Sequence, residues 1–196
     1  METIEVRPWR VNGKGGYDLV ITSPLATVDD YIRAMGRVEE LDIYRSYRSG
    51  RGDCQSCPHC CGGRLPLTLR DVLVLRDGLQ ALTGKLVNLR DLIANYCTVQ
   101  KMGPALDITL RTDGEGYCIF LSPTDNSCRL YRYRPLVCRT FYCCPATRRA
   151  GELRSAVING GEDELVYFWQ TGKLPVPRIY LRNLCSPALW KALRGR

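Results

Sequence analysis

Cys54, Cys57, Cys60 and Cys61 form the densest group of reactive side chains in the chain. Two thiolates separated by two residues can turn back on one metal ion, because the short loop brings both sulfurs within coordination reach. The run Cys54-x2-Cys57-x2-Cys60 overlaps two such units. It also matches the spacing that holds three corners of a four-iron cluster, whose remaining ligand comes from elsewhere in the chain. Adjacent Cys60 and Cys61 project in different directions, so they are expected to serve different metals or to divide into a ligand and a structural neighbour. A second group lies at Cys118, Cys128, Cys138, Cys143 and Cys144. Its first three members are too far apart for a local chelate and must be gathered by folding, which couples metal binding to stability. Cys143 and Cys144 repeat the choice posed by Cys60 and Cys61. Isolated Cys97 and Cys185 read as buried apolar thiols. His59, the only histidine, reads as a loop residue beside the thiolates rather than a ligand.

The elements that position these groups are legible in outline. Residues 1–23 read as extended, with Tyr17 to Ile21 a strand ended at Ser23-Pro24. Thr27 caps a helix expected to run to about Tyr44, with Val28, Ile32, Met35, Val38 and Leu41 at helical spacing. The basic link Arg45 to Asp53 leads into the first cluster. Beyond Gly62-Gly63, Thr68 caps a helix with Leu69, Val72, Leu73, Leu75 and Leu79 that ends near Gly84, and Asn88 caps another. Leu106 to Arg111 and Gly116 to Leu121 read as two strands joined at Asp113-Gly114, a hairpin that would deliver Cys118. Ser122 to Ser127 is a loop, Cys128 to Cys144 is helical or turn-like, and Pro145 ends it. Helices are expected at Glu162 to Gln170 and at Ser186 to Leu193, separated by Pro175 and Pro177.

Composition narrows the chemistry. At 196 residues and 45% hydrophobic content, the chain suits one domain with extensions. Met1 to Arg10 carries charge where a secretory signal needs an apolar run, and no apolar stretch reaches the length of a membrane span. The expected location is cytoplasmic, where thiols stay reduced and clustered cysteines are metal or redox groups rather than disulfides. The formal charge of +8 counts every thiol as neutral, and thiolates on metal would offset part of it. Arginine makes up 23 of the 28 basic residues, which suits fixed hydrogen-bonding forks around sulfur or carboxylate.

A family resemblance rests on several ordered motifs. They are Cys54-x2-Cys57-x2-Cys60-Cys61, Leu67-Thr68-x2-Asp71, Cys118-Ile119-Phe120-Leu121 and Cys128-x2-Tyr131-x2-Arg134-Pro135-x2-Cys138-Arg139-x-Phe141. Together they resemble the YkgJ-type cysteine-cluster family, described as a zinc- or iron-chelating domain, over about residues 50 to 145. The resemblance implies metal binding by Cys54, Cys57, Cys60, Cys61, Cys118, Cys128 and Cys138, with an eighth ligand at Cys143 or Cys144. A domain that looks related occurs in flagellin lysine N-methylase, but Gly13-Lys14-Gly15-Gly16 is too short and too terminal to serve as a loop for S-adenosylmethionine.

The expected fold is α+β, a small single domain, mostly helical with short strands and organised around a cysteine-ligated metal site. Its expected parts are an N-terminal segment and helix (1–49), a cysteine-cluster core (50–145) and a C-terminal helical extension packed on the core (146–196). The leading reading is a protein holding zinc or an iron-sulfur cluster, with a structural role or one in electron or metal transfer to a protein partner. No nucleophile and base pair stands out, so a competing enzyme, metal-dependent or part of a lysine-methylase-like system, would work through the metal or a reactive thiol. Arg129, Arg132, Arg134 and Arg139 interleave with Tyr131, Tyr133 and Tyr142. That pattern suits single-stranded RNA around a structural zinc, but support of metal-bound sulfur is the preferred reading. Asp71 reads as an early-helix residue that favours the macrodipole, with support of the site as an alternative.

Overall fold

The computed structural model describes residues 2–46, 57–103 and 105–194. In chain order the elements are β1 (Ile4–Val11), β2 (Lys14–Ile21), α1 (Val28–Arg37), α2 (Leu69–Thr83), α3 (Leu89–Tyr96), β3 (Cys97–Met102), β4 (Ala105–Leu110), α4 (Leu136–Arg139), α5 (Arg148–Thr171) and α6 (Pro187–Leu193). The class is α+β. The chain divides into two compact units, one of Met1–Ser46, Tyr142–Gly160 and Val176–Arg196, the other of Tyr47–Phe141 and Gly161–Pro175.

In the first unit, β1 and β2 pair antiparallel from Ile4 opposite Ile21 to Val11 opposite Lys14. Asn12 and Gly13 turn the chain with φ of 50° and 76°. Both central residues at positive φ suit the twist of a two-residue hairpin, for which Asn-Gly is the strongest short sequence signal. On its other side β2 meets the chain beyond Pro145, with the Tyr17 amide donating to the Pro145 carbonyl and the Thr147 amide to the Tyr17 carbonyl, each at 3.1 Å. A strand covered on both edges carries buried residues throughout its length after Lys14.

Helix α1 starts with a reciprocal capping box between Thr27 and Asp30 and buries Tyr31, Ala34 and Met35. It stops at Arg37 and gives way to one tight turn, Val38–Glu40, so the expected continuation to Tyr44 does not form. The Tyr44 amide instead donates to the Gly15 carbonyl at 2.8 Å. The backbone packs so closely there that a Cβ at Gly15 would lie 2.1 Å from the Asp42 carbonyl oxygen. Flush contact with β2 therefore takes the residues that helical periodicity assigned to α1.

In the second unit, α2 begins with the same capping box, now between Thr68 and Asp71, and ends at left-handed Gly84. Asn88 caps α3. Strand β4 pairs with β3 on one side, while its Ile108 carbonyl and Leu110 amide bond Leu67 and Leu65 on the other. With both edges of β4 taken, Gly116 to Leu121 does not pair along it, and only the tip of the expected hairpin forms: Thr112 lies opposite Cys118, the Asp113 amide donates to the Tyr117 carbonyl at 2.7 Å and the Ile119 amide to the Arg111 carbonyl at 3.2 Å. Beyond Leu110 the chain makes a turn in which Asp113 Oδ1 accepts from the Glu115 and Tyr117 amides, both at 2.9 Å.

Helix α5 begins at Arg148, well before the expected Glu162. Its glycines lower intrinsic helix propensity, but Ala150, Leu153, Val157 and Ile158 are buried on one side, and tertiary burial outweighs propensity. Among the described residues, no helix is long and apolar enough to cross a membrane.

Candidate metal centre

Four stretches of the second unit converge on one cavity. Cys57 precedes Pro58 and the tight turn His59–Cys61, which closes with the Cys61 amide donating to the Pro58 carbonyl at 2.8 Å. The Cys61 carbonyl in turn accepts from the Cys118 amide at 2.8 Å, so two thiols distant in sequence are joined through backbone. A further bridge pairs Leu121 with Cys128. Cys138 lies on α4, whose first turn bonds the Cys138 amide to the Pro135 carbonyl at 2.9 Å. Cys57, Cys60, Cys61, Cys118, Cys128 and Cys138 all line this cavity.

Apart from the thiols, the walls are mainly apolar, from Leu65, Leu75, Leu110, Phe120, Leu130 and Pro135. Asn126, Tyr131 and Arg134 add polar groups. The free volume is about 30 Å³, room for a water-sized guest or two. Such a space has the scale of a single ion.

Cys60, Cys61, Cys118, Cys128 and Cys138 act on one another electrostatically. Cys60 is pulled down to about 6, first by the hydrogen bond from the Cys61 thiol and further by the charge of Arg134. Cys61 is pushed up because it donates that bond, because it is buried and because other thiols surround it. Burial raises Cys118 to about 11 and also raises Cys128 and Cys138, and neighbouring thiols add to each shift. Burial and neighbouring thiols therefore oppose ionising Cys61, Cys118, Cys128 and Cys138 together, and a bound cation would relieve both costs. The donor type fits a thiolate-bound metal. Among the described residues, no three Cys, His, Asp or Glu side chains stand in an arrangement that already holds an ion. The thiols share a cavity without forming a closed coordination shell.

The remaining candidates fall elsewhere. Cys54 lies outside the described residues. Cys143 and Cys144 belong to the first unit, where the Cys143 carbonyl accepts from the Ser46 amide at 2.8 Å. Burial raises Cys144 to about 11 against the pull of Arg45. Cys97 is buried in β3, and Cys185 is half-buried just before α6. His59 is exposed and lines a separate open groove with Arg64, Asp107 and Tyr117.

Of the four arginines grouped in sequence, Arg134 lines the cavity, while Arg129, Arg132 and Arg139 are exposed. Asp71 has a larger role than its place in a helix cap announces. Its carboxylate binds the Thr68 amide and hydroxyl, each at 2.8 Å, and also the Leu136 amide at the start of α4. Asn126, at φ 55°, lines the cavity from a loop in which no sequence motif singled it out.

A protein-family model named CxxCxxCC, with the description "Putative zinc- or iron-chelating domain", matches residues 53–155, a little over half of the chain. Comparison with curated proteins and with solved structures gave no match.

Proposed function

Because the chain belongs to the CxxCxxCC family of zinc- or iron-chelating domains, we propose that the cavity of the second unit is its metal centre. The ligands would be drawn from Cys57, Cys60, Cys61, Cys118, Cys128 and Cys138, with Cys54 completing the first cluster. The observation that carries this reading is that six thiols from separate stretches of chain line one small, apolar-walled cavity. Zinc and iron-sulfur chemistry both accept thiolate donors. The metal would hold the unit together, or would pass electrons or metal to a protein partner, in a reducing compartment such as the cytoplasm.

Anaerobic purification followed by elemental analysis and visible spectroscopy tests this reading. Broad visible absorbance with iron and sulfide identifies a cluster, and a colourless protein with stoichiometric zinc identifies a zinc centre. C57S and C138S should each lose metal, whereas C185S should keep it. Unchanged metal in both cavity variants would overturn the ligand set. Combined substitution of Cys143 and Cys144 decides whether either belongs to it.

A second reading draws on the exposure of Arg129, Arg132 and Arg139. Exposed arginines suit the phosphates of single-stranded RNA, with the metal then structural; Tyr142 is buried and Tyr131 and Tyr133 are half-buried, so charge rather than stacking would carry the contact. Binding to a short single-stranded RNA that weakens steeply with salt would support it, and absence of binding at low salt would remove it.

A further inference from the structure

Arg134 is the one charged side chain, thiols aside, among the described residues that line the cysteine cavity. Two contacts fix where its guanidinium sits. Nε donates to the Tyr131 carbonyl at 3.1 Å, and the guanidinium carbon lies 3.9 Å from the centre of the Tyr131 ring. Its terminal nitrogens make no hydrogen bond to any described residue. Half-buried beside six thiols, with one nitrogen tethered and its terminal donors untaken by any described residue, this guanidinium can turn those donors to the cavity.

Four thiolates around a divalent ion carry excess negative charge. Leu65, Leu75, Leu110, Phe120 and Leu130 cannot disperse that charge, and burying it uncompensated is costly. A guanidinium meets the need better than an ammonium, because its planar fork donates several bonds at fixed angles and loses hydration more readily. Metal-bound sulfur accepts such bonds, and groups of this kind orient ligands and tune the metal.

We infer that Arg134 is a positioning residue of the centre, donating hydrogen bonds from its terminal nitrogens to metal-bound sulfur and offsetting the charge of the thiolate set. This inference rests on the metal reading above. It separates Arg134 from Arg129, Arg132 and Arg139, which share its charge and its stretch of chain but not its place. The Tyr131 contacts are part of the device, since they restrict the guanidinium before metal arrives and lower the entropy lost on binding.

The test titrates the metal-free full chain with zinc, and separately with ferrous iron under anaerobic conditions, against a chromophoric chelator. Wild type, R134Q, R134K and R132Q are compared. R134Q should bind about 10- to 100-fold more weakly, the range seen when groups supporting metal ligands are removed. R134K, which restores charge without the fork, should recover part of the loss, and R132Q should match wild type. Wild-type affinity in R134Q, or an equal loss in R132Q, overturns the inference. If R134Q does not fold, R134K decides alone: a several-fold loss supports the fork, and full affinity refutes it. Failure of wild type to take up either metal would instead bring down the metal reading itself.

Discussion

The carboxylate of Asp71 accepts the Leu136 amide hydrogen at 2.6 Å, across 65 positions of sequence. The same side chain closes the capping box of α2, so one buried group ties the start of α2 to the start of the short helix that carries Cys138. Burial pushes the Asp71 carboxyl up, against the hydrogen bonds from Thr68 and Leu136 that pull it down.

Truncation to alanine in D71A leaves the Thr68 and Leu136 amides without their acceptor. Each unsatisfied buried donor costs about 1–3 kcal/mol, so D71A should lose about 3 kcal/mol in denaturant unfolding. D71N keeps one acceptor oxygen and should lose less. Because α4 carries Cys138, D71A should also bind metal more weakly. A D71A chain within about 1 kcal/mol of wild type would contradict the assigned role of this carboxylate.

Removal of the metal provides a second test. A ligand bound at a thousand times its dissociation constant stabilises the native state by about 4 kcal/mol. For a chain of this size that corresponds to about 8–16 °C in Tm. Chelation should lower the thermal midpoint by this order, and readdition of metal should restore it. A midpoint indifferent to chelator would argue against a metal that holds the second unit together.

Much of the local structure was legible in the sequence because local chemistry decides it. Thr27, Thr68, Asn88 and Ser186 announce helix starts through side chains that bond amides three residues on, and the structure begins helices after each. The Asn12-Gly13 turn carries a strong hairpin signal that the reading of residues 1–23 as merely extended passes over. Strand β3 was hidden because it directly succeeds α3, with no turn residue to mark the change of period. For the candidate site, sequence grouped the cysteines, but it could not tell which share a cavity. Nor could it distinguish Arg134 from Arg132, since a two-residue offset selects opposite surroundings only after the Tyr131–Tyr133 turn has packed. The Asp71 bond to Leu136 was illegible for the same reason: a capping motif specifies its local partners and says nothing of distant ones.

Two helical glycines offer a paired test of packing against propensity. A Cβ at Gly78 would lie 2.7 Å from Cβ and Cγ of Tyr133, whereas one at Gly151 would meet nothing within 4 Å. Replacing helical glycine by alanine contributes about 1 kcal/mol through propensity, and overpacking costs about 1–3 kcal/mol. G151A should therefore be stabilised by up to about 1 kcal/mol, while G78A should show no gain or a net loss. Equal stabilisation of both in urea unfolding would mean that α2 and the Tyr133 turn are not in close contact.

Acid sensitivity should trace to Asp18 in the first unit. Burial works to raise its pKa, but hydrogen bonds from Arg149 and Thr147, together with the charge of Arg149, outweigh burial and hold the carboxyl below its usual range. The fork is direct, with Arg149 Nε donating at 2.7 Å to Oδ1 and Nη2 donating to Oδ2. A carboxylate whose folded pKa is depressed favours the native state at pH above its unfolded value, about 4, and that contribution is lost as pH falls through the folded value. Stability should thus fall from about pH 5 downward. D18N should be less stable by about 2 kcal/mol at neutral pH, the scale of a charged hydrogen bond. It should also lack this component of the acid decline, so the two unfolding curves converge at low pH. Profiles that stay parallel from pH 7 to pH 3 would show that the Asp18–Arg149 pair does not contribute to acid sensitivity.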